Sequence, residues 1–189
     1  MDKHAIKLSK FLSLILRHKP QVIGLRLDAN GWAEVDELIE LVNQHGIAVS
    51  QELLAAIVRQ NDKARFTFNG DRTKIRAQQG HSLNVDLQLV AEPPPAILFH
   101  GTATRFLSSI RTQGLLPGSR QHVHLSAAAV NAIKVGQRHG NPIILTIHAQ
   151  AMGQAGYQFF CSPNGVWLTA QVPPQYITFP SQAAPPRVL

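Results

Sequence analysis

Residues 91–96 read "AEPPPA", and the three prolines in a row decide how the rest of the chain can be divided. Proline lacks a backbone N–H and has a fixed φ, so this run continues neither a helix nor a central strand. It makes a stiff, extended connector. The charge pattern changes at the same place. Residues 1–92 hold 12 Lys plus Arg and 11 Asp plus Glu, whereas residues 93–189 hold Lys134 and five arginines with no Asp or Glu. Almost all of the net charge of +7 therefore belongs to the second half. The reading is two domains, 1–92 and 93–180, followed by a mobile tail at 181–189.

An acid-free stretch of this length restricts the chemistry. It supplies neither the paired carboxylates of a glycosidase nor oxygen ligands for magnesium or calcium. Excess positive charge favours anionic partners such as nucleic acid or nucleotides. The single cysteine, Cys161, excludes an internal disulfide. No signal-peptide core and no membrane-length apolar run is present, which points to a cytoplasmic protein without a membrane partner. A monomer is expected.

In the first domain, Leu8, Phe11, Leu12 and Ile15 share one helical face, and Arg17, His18 and Lys19 follow at its end before Pro20. Val35, Leu38, Ile39 and Val42 repeat the spacing, with Gly46 beyond the end. Ser50 is placed to cap a third helix carrying Leu54, Ile57 and Val58. "RFTF", a turn at "NGD" and "TKIRA" then read as a β-hairpin. Three helices and a hairpin is the order of a winged helix.

The second domain opens on "AILF", a buried strand leading into a loop at "HGT". A short helix near 104–113 is closed by Gly114 and Pro117. "HVHLS" alternates as a strand does, Ser126 is a candidate cap for the helix "AAAVNAIKV", and "PIILTIHA" is a second buried strand. "YQFFCSPNGVWLTA" reads as two strands and "VPPQYITF" as a further edge. The fold class is α+β, with helices concentrated in the first half. There is no P-loop and no GxGxxG.

"FHGT" and "HVHLS", taken with "LSLILRHKP", "DKARF", "IRAQQGHS", "VGQRHGNP" and "NGVWLTAQVPPQYI", resemble the RNA 2'-phosphotransferase family, relatives of the enzyme that finishes tRNA splicing. The resemblance spans about residues 3–180. It implies a winged-helix lobe followed by an ADP-ribosyltransferase-like lobe that binds NAD as a consumed co-substrate. The implied reaction removes an internal 2'-phosphate from RNA in two steps. The phosphate displaces nicotinamide from NAD+. The neighbouring ribose hydroxyl then attacks phosphorus, giving 2'-OH RNA and ADP-ribose 1'',2''-cyclic phosphate. The family's catalytic Arg-His-Arg-Arg set falls by motif on Arg17, His18, Arg65 and Arg138, expected to meet around one phosphate. NAD contacts are implied at His100, Gly101, Thr102, His124 and Ser126.

Elementary chemistry agrees. Near neutral pH a phosphate monoester is already anionic, so it needs no base to act as a nucleophile, and a carboxylate beside it would repel it. Arginine stays charged and grips phosphate oxygens in a fork. His18 titrates in the range needed to protonate the leaving RNA oxygen or to orient the attacking hydroxyl. Bland readings stand beside these. Arg65 and Arg138 also suit solvated surface positions, His100 a strand end, and Ser126 a helix cap. Arg76, Gln79, His81 and Ser82 in "IRAQQGHS" are expected near a cleft between the two lobes, without individual roles. His100, His122 and His124 imitate a three-histidine zinc set, but no carboxylate lies nearby in sequence to support it, and no metal is expected. Two other functions fit the same residues less well: an ADP-ribosyltransferase acting on phosphorylated nucleic-acid ends or small molecules, and a non-catalytic winged-helix nucleic-acid binder.

Overall fold

The computed structural model describes residues 3–60, 64–137 and 140–180, apart from the side chain of Lys134. Among them are six α-helices and two antiparallel sheets. The chain forms two compact units. One is built on the described residues up to Val90, together with Gly118–Gln121 and Ser162–Asn164. The other takes the described residues within Ala91–Pro117, within His122–Cys161 and from Gly165 onward. The tail expected at 181–189 lies outside the described residues.

In the first unit, α1 (Lys3–Arg17) buries Leu8, Leu12, Ile15 and Leu16 against α2 (Val35–Gln44) and α3 (Gln51–Arg59). Each helix is marked by ordinary end chemistry. The Ser50 hydroxyl accepts from the Leu53 N–H at 3.2 Å, capping α3 as expected. Gly46, with φ +84, follows the end of α2. Pro20 begins a 3-10 turn (Pro20–Ile23) that closes on Gly24 at φ +70, so α1 cannot extend past Arg17.

Strands β2 (Phe66–Phe68) and β3 (Lys74–Ala77) form the expected hairpin, with Phe66 opposite Ala77 and Phe68 opposite Ile75. Its connection is longer than a two-residue Asn-Gly turn. The Asn69 side chain accepts from the Lys74 N–H at 2.9 Å, and Arg72, not Gly70, has the left-handed backbone, at φ +63. That side-chain bond adds to two backbone bonds that close the loop, from the Asn69 N–H to the Lys74 carbonyl at 3.1 Å and from the Arg72 N–H to the Asn69 carbonyl at 3.2 Å. A third strand, β1 (Ala33–Glu34), adds to β3 and was not expected. Two residues are too few to show a period.

The second unit is a six-stranded antiparallel sheet in the order β7-β8-β5-β4-β6-β9. Its strands are β4 (Leu98–Ala103), β5 (Val123–Ser126), β6 (Pro142–Ile147), β7 (Phe160–Cys161), β8 (Val166–Thr169) and β9 (Ile177–Thr178). Helices α4 (Leu107–Gln113), α5 (Ala129–Gly136) and α6 (Ala149–Gln154) accompany it, and Leu98, Leu125, Leu145, Ile147 and Phe159 lie in its core. One expectation is corrected. "HGT" is not a loop after a strand: β4 stays paired with β6 through Ala103, with His100 opposite Leu145 and Thr102 opposite Ile143. None of the helices among the described residues is long and apolar enough to cross a membrane.

Candidate anion site and cofactor cavity

Arg17 and His18 stand at the C-terminal end of α1, where the helix dipole favours cations. That alone would not explain Arg17. Its guanidinium is largely buried, yet Nε and Nη2 have no hydrogen-bond partner. Each orphaned buried donor costs roughly 1–3 kcal/mol. Burial first, and then the charges of Arg65 and Arg120, pull its pKa down to about 10, so it remains a cation at neutral pH. Three arginines thus crowd one location in the first unit with no carboxylate among the causes acting on Arg17.

Arg65 enters just ahead of β2. Its carbonyl accepts from the Gln78 N–H at 2.9 Å, which extends the hairpin ladder by one pair. Ala64 before it has φ +38, an uncommon conformation for a residue with a Cβ. Arg120 lies in "GSRQ", part of the segment Gly118–Gln121 that belongs to the first unit. The sequence reading missed it. Its charge pushes down the pKa of both Arg17 and His18. Nothing in its own sequence marks it, because a turn-like segment in the second half gives no sign of joining the first unit.

His18 is half-buried, and burial, Arg17 and Arg120 all lower its pKa, in that order. Its Nδ1 lies 3.0 Å from the Ser82 hydroxyl, and the Ser82 N–H donates to the Arg17 carbonyl at 3.0 Å. His81 is only 1% exposed, and neither ring nitrogen has a partner. Burial, with Arg17, His18 and Arg76, drives its pKa down to about 4, so the ring is neutral. Arg76 lies over the Trp32 ring, 4.4 Å from its centroid, and donates to the Asn30 carbonyl at 3.3 Å. Of "IRAQQGHS", Ser82 and His81 therefore lie beside the end of α1. The fourth expected catalytic residue, Arg138, lies outside the described residues.

The second unit contains a cavity of about 250 Å³ lined by His100, Thr102 and Gln113 with apolar Phe106, Ile110 and Leu116 among others. His100 and Thr102 share one face of β4, as alternate residues of a strand do. Gly101 faces the other way. A Cβ there would run into the Ala132 carbonyl of α5, so its missing side chain makes room for a helix. His100 Nδ1 lies 3.0 Å from the His124 carbonyl, and His124 Nδ1 lies 3.0 Å from the His122 carbonyl. Ser126 bonds with Ala128, accepting from its N–H at 3.2 Å and donating to its carbonyl at 3.0 Å. That is a short turn before α5, whose N-cap is Ala128, so Ser126 precedes the helix without capping it. Of the five residues implied for NAD, His100 and Thr102 line the cavity. Among the described residues, no three His, Cys, Asp or Glu side chains form a group able to hold a metal ion.

The sequence pattern of the family described as "RNA 2'-phosphotransferase, Tpt1 / KptA family" matches residues 3–171. A protein of Acaryochloris marina named "Probable RNA 2'-phosphotransferase" is 54% identical over 176 residues, covering 93% of this chain and 97% of that protein. Proteins of the same name from Flavobacterium johnsoniae and Hahella chejuensis are 53% and 52% identical, each over 94% of this chain and 97% and 96% of their own length.

Proposed function

The chain belongs to the RNA 2'-phosphotransferase, Tpt1/KptA family, and from that we propose that it transfers an internal 2'-phosphate from RNA to NAD+. The products would be 2'-OH RNA, nicotinamide and ADP-ribose 1'',2''-cyclic phosphate. The observation that carries the reading is the buried guanidinium of Arg17, orphaned at two nitrogens and crowded by Arg65 and Arg120. A buried guanidinium with orphaned nitrogens, crowded by further cations, is stabilised when an anion arrives. A phosphate dianion offers enough acceptor oxygens for several arginines at once.

The mechanism follows from these groups. NAD+ supplies an electrophilic ribose carbon with nicotinamide as its leaving group. Arg17, Arg65 and Arg120 hold the 2'-phosphate and spread the charge that builds on its oxygens as phosphorus is attacked. Arg138 is proposed as a further member of that set on the family motif. His18 is neutral in the free protein, held so by burial and two neighbouring cations. A bound dianion opposes those cations and raises its pKa, so a protonated ring becomes available to the departing RNA O2'. In the cavity of the second unit, His100 and Thr102 offer polar contacts beside apolar walls. Such a lining suits a nucleoside portion of NAD, although its volume fits part of a dinucleotide rather than the whole. Residues 93–189 contain no acidic side chain that would repel a phosphate nucleophile. In this reading the first unit is a winged-helix lobe, supported by three helices followed by a hairpin, and the second is an ADP-ribosyltransferase-like lobe.

One assay tests the proposal. The protein is mixed with NAD+ and an RNA oligonucleotide bearing one internal 2'-phosphate, and the products are weighed. Dephosphorylated RNA with cyclic phosphate is expected. A stable RNA–ADP-ribose adduct would make the chain an ADP-ribosyltransferase only, and bound but unchanged RNA would make it a binding protein.

A further inference from the structure

Ser82 touches both residues at the end of α1. Its backbone N–H bonds the Arg17 carbonyl and its hydroxyl reaches His18 Nδ1, each at 3.0 Å. The first contact serves one of the carbonyls that every helix leaves unsatisfied at its end, and any residue could provide it. The second needs a hydroxyl. The residue is also firmly seated. His81 before it is buried, and the His81 carbonyl accepts from the Gln121 N–H at 3.1 Å. Gln121 donates in turn from Nε2 to the Val85 carbonyl at 2.9 Å. Gly80, at φ +88, makes the turn that brings the pair into place.

We infer that Ser82 is a positioning residue, whose hydroxyl fixes the ring of His18 so that Nε2 carries a proton and remains the donor in both charge states of the ring. The inference rests on the function proposed above for its kinetic consequence, but not for its geometry. A hydroxyl both donates and accepts. Toward a neutral ring the Ser82 O–H donates to Nδ1, which leaves the hydrogen on Nε2. Toward a charged ring the same oxygen accepts from Nδ1–H, and Nε2–H is unchanged. A carboxylate in this position would raise the pKa of the ring, accept from Nδ1–H so that Nε2 of the neutral ring is an acceptor, and repel the phosphate. A lone carbonyl would accept from Nδ1–H and turn Nε2 of the neutral ring into an acceptor. With Arg17 and Arg120 drawing an anion to this place, a donor at Nε2 is what a phosphate or departing RNA oxygen requires.

The test compares wild type, Ser82→Ala and Ser82→Thr, with ¹⁵N-labelled histidine. In wild type the neutral His18 ring is expected to show protonated Nε2, and in Ser82→Ala a mixture of both tautomers. Ser82→Thr restores the wild-type pattern. With 2'-phosphorylated RNA and NAD+, Ser82→Ala is expected to lower kcat about tenfold with KM for RNA little changed, a fraction of what general acid–base catalysis contributes. Combining it with His18→Ala should add nothing further. Thermal stability should stay near wild type, since the backbone bond survives. An unchanged tautomer in Ser82→Ala overturns the inference, whatever the activity. Turnover of Ser82→Ala within twofold of an active wild type also overturns it. A wild type that fails to act on the RNA sinks the function proposed above, while the nitrogen spectra still decide the role of Ser82.

Discussion

Arg17 and His81 are the two residues whose surroundings least resemble an ordinary folded interior. Both are buried polar groups with orphaned nitrogens, one charged and one held neutral. The folded pKa of His81, about 4, lies below its ordinary value of 6.5. The unfolded chain therefore binds more protons between those values, and stability rises with pH across that window. It is complete above pH 6.5 and is lost as the pH falls toward 4, by on the order of 3 kcal/mol. Urea unfolding at pH 7 and pH 5 should show the loss in wild type, and His81→Phe should remove most of the difference. An equal loss in the variant would mean that other groups titrate. The arginines separate by activity. Arg17→Ala, Arg65→Ala and Arg120→Ala should each lower turnover of 2'-phosphorylated RNA by at least a hundredfold, the scale of losing one oxyanion donor. Arg138→Ala tests whether the motif-based fourth position belongs with them. If Arg120→Ala behaves as wild type and Arg138→Ala is inactive, the charge beside Arg17 is not the phosphate ligand. Arg17, His18 and Arg65 were legible because each sits in a distinctive local motif. Arg120 was not, because only the folded chain brings it to the end of α1.

At the scale of elements, periodicity worked where a whole face is buried. The apolar spacing of α1, α2 and α3 follows from the 3.6-residue turn, and each face appears in the core of the first unit. It failed for pieces too short to repeat, such as β1 and α6. It also misplaced "HGT", since polar His100 and Thr102 interrupt an apolar run although their backbone stays in the sheet. The contact of β4 with α5 explains Gly101 and Gly136 together. A Cβ on Gly101 would meet the Ala132 carbonyl, and one on Gly136 would come within 2.7 Å of the Thr102 carbonyl. Both clashes are with backbone, which cannot rotate aside. Gly101→Ala should therefore cost about 3 kcal/mol or more as α5 is pushed off the strand. Thermal unfolding should reveal it without any ligand present. A variant that unfolds like wild type would mean that α5 yields easily, and Gly101 would then have to be explained by something other than helix packing.

For the whole molecule, the uneven charge was the most legible property and carries the most general consequence. Residues 93–189 have only cations among their charged side chains, and one of these, Arg120, joins Arg17 and Arg65 in the first unit. What the sequence concealed is that Gly118–Gln121 joins the first unit, because a short polar stretch has no apolar pattern to declare which core it sits on. Basic surface in general attracts any RNA, so affinity alone cannot identify a phosphate pocket. Salt dependence can, because each phosphate charge neutralised by arginine releases counterions. Two oligonucleotides of one sequence, with and without an internal 2'-phosphate, share every backbone contact and differ by one dianion. For single strands the slope of log K against log salt changes by about 0.7 per charge neutralised, so full neutralisation of the dianion should make the slope of the phosphorylated strand steeper by about 1.4. Fluorescence anisotropy between 50 and 200 mM salt, a span of about fourfold, measures both slopes. In Arg17→Ala the difference between the two strands should shrink while the slope for the plain strand stays the same. Equal slopes for the two strands in wild type would show that the crowded arginines do not engage the 2'-phosphate. The buried cation of Arg17 would then need another anion to account for it.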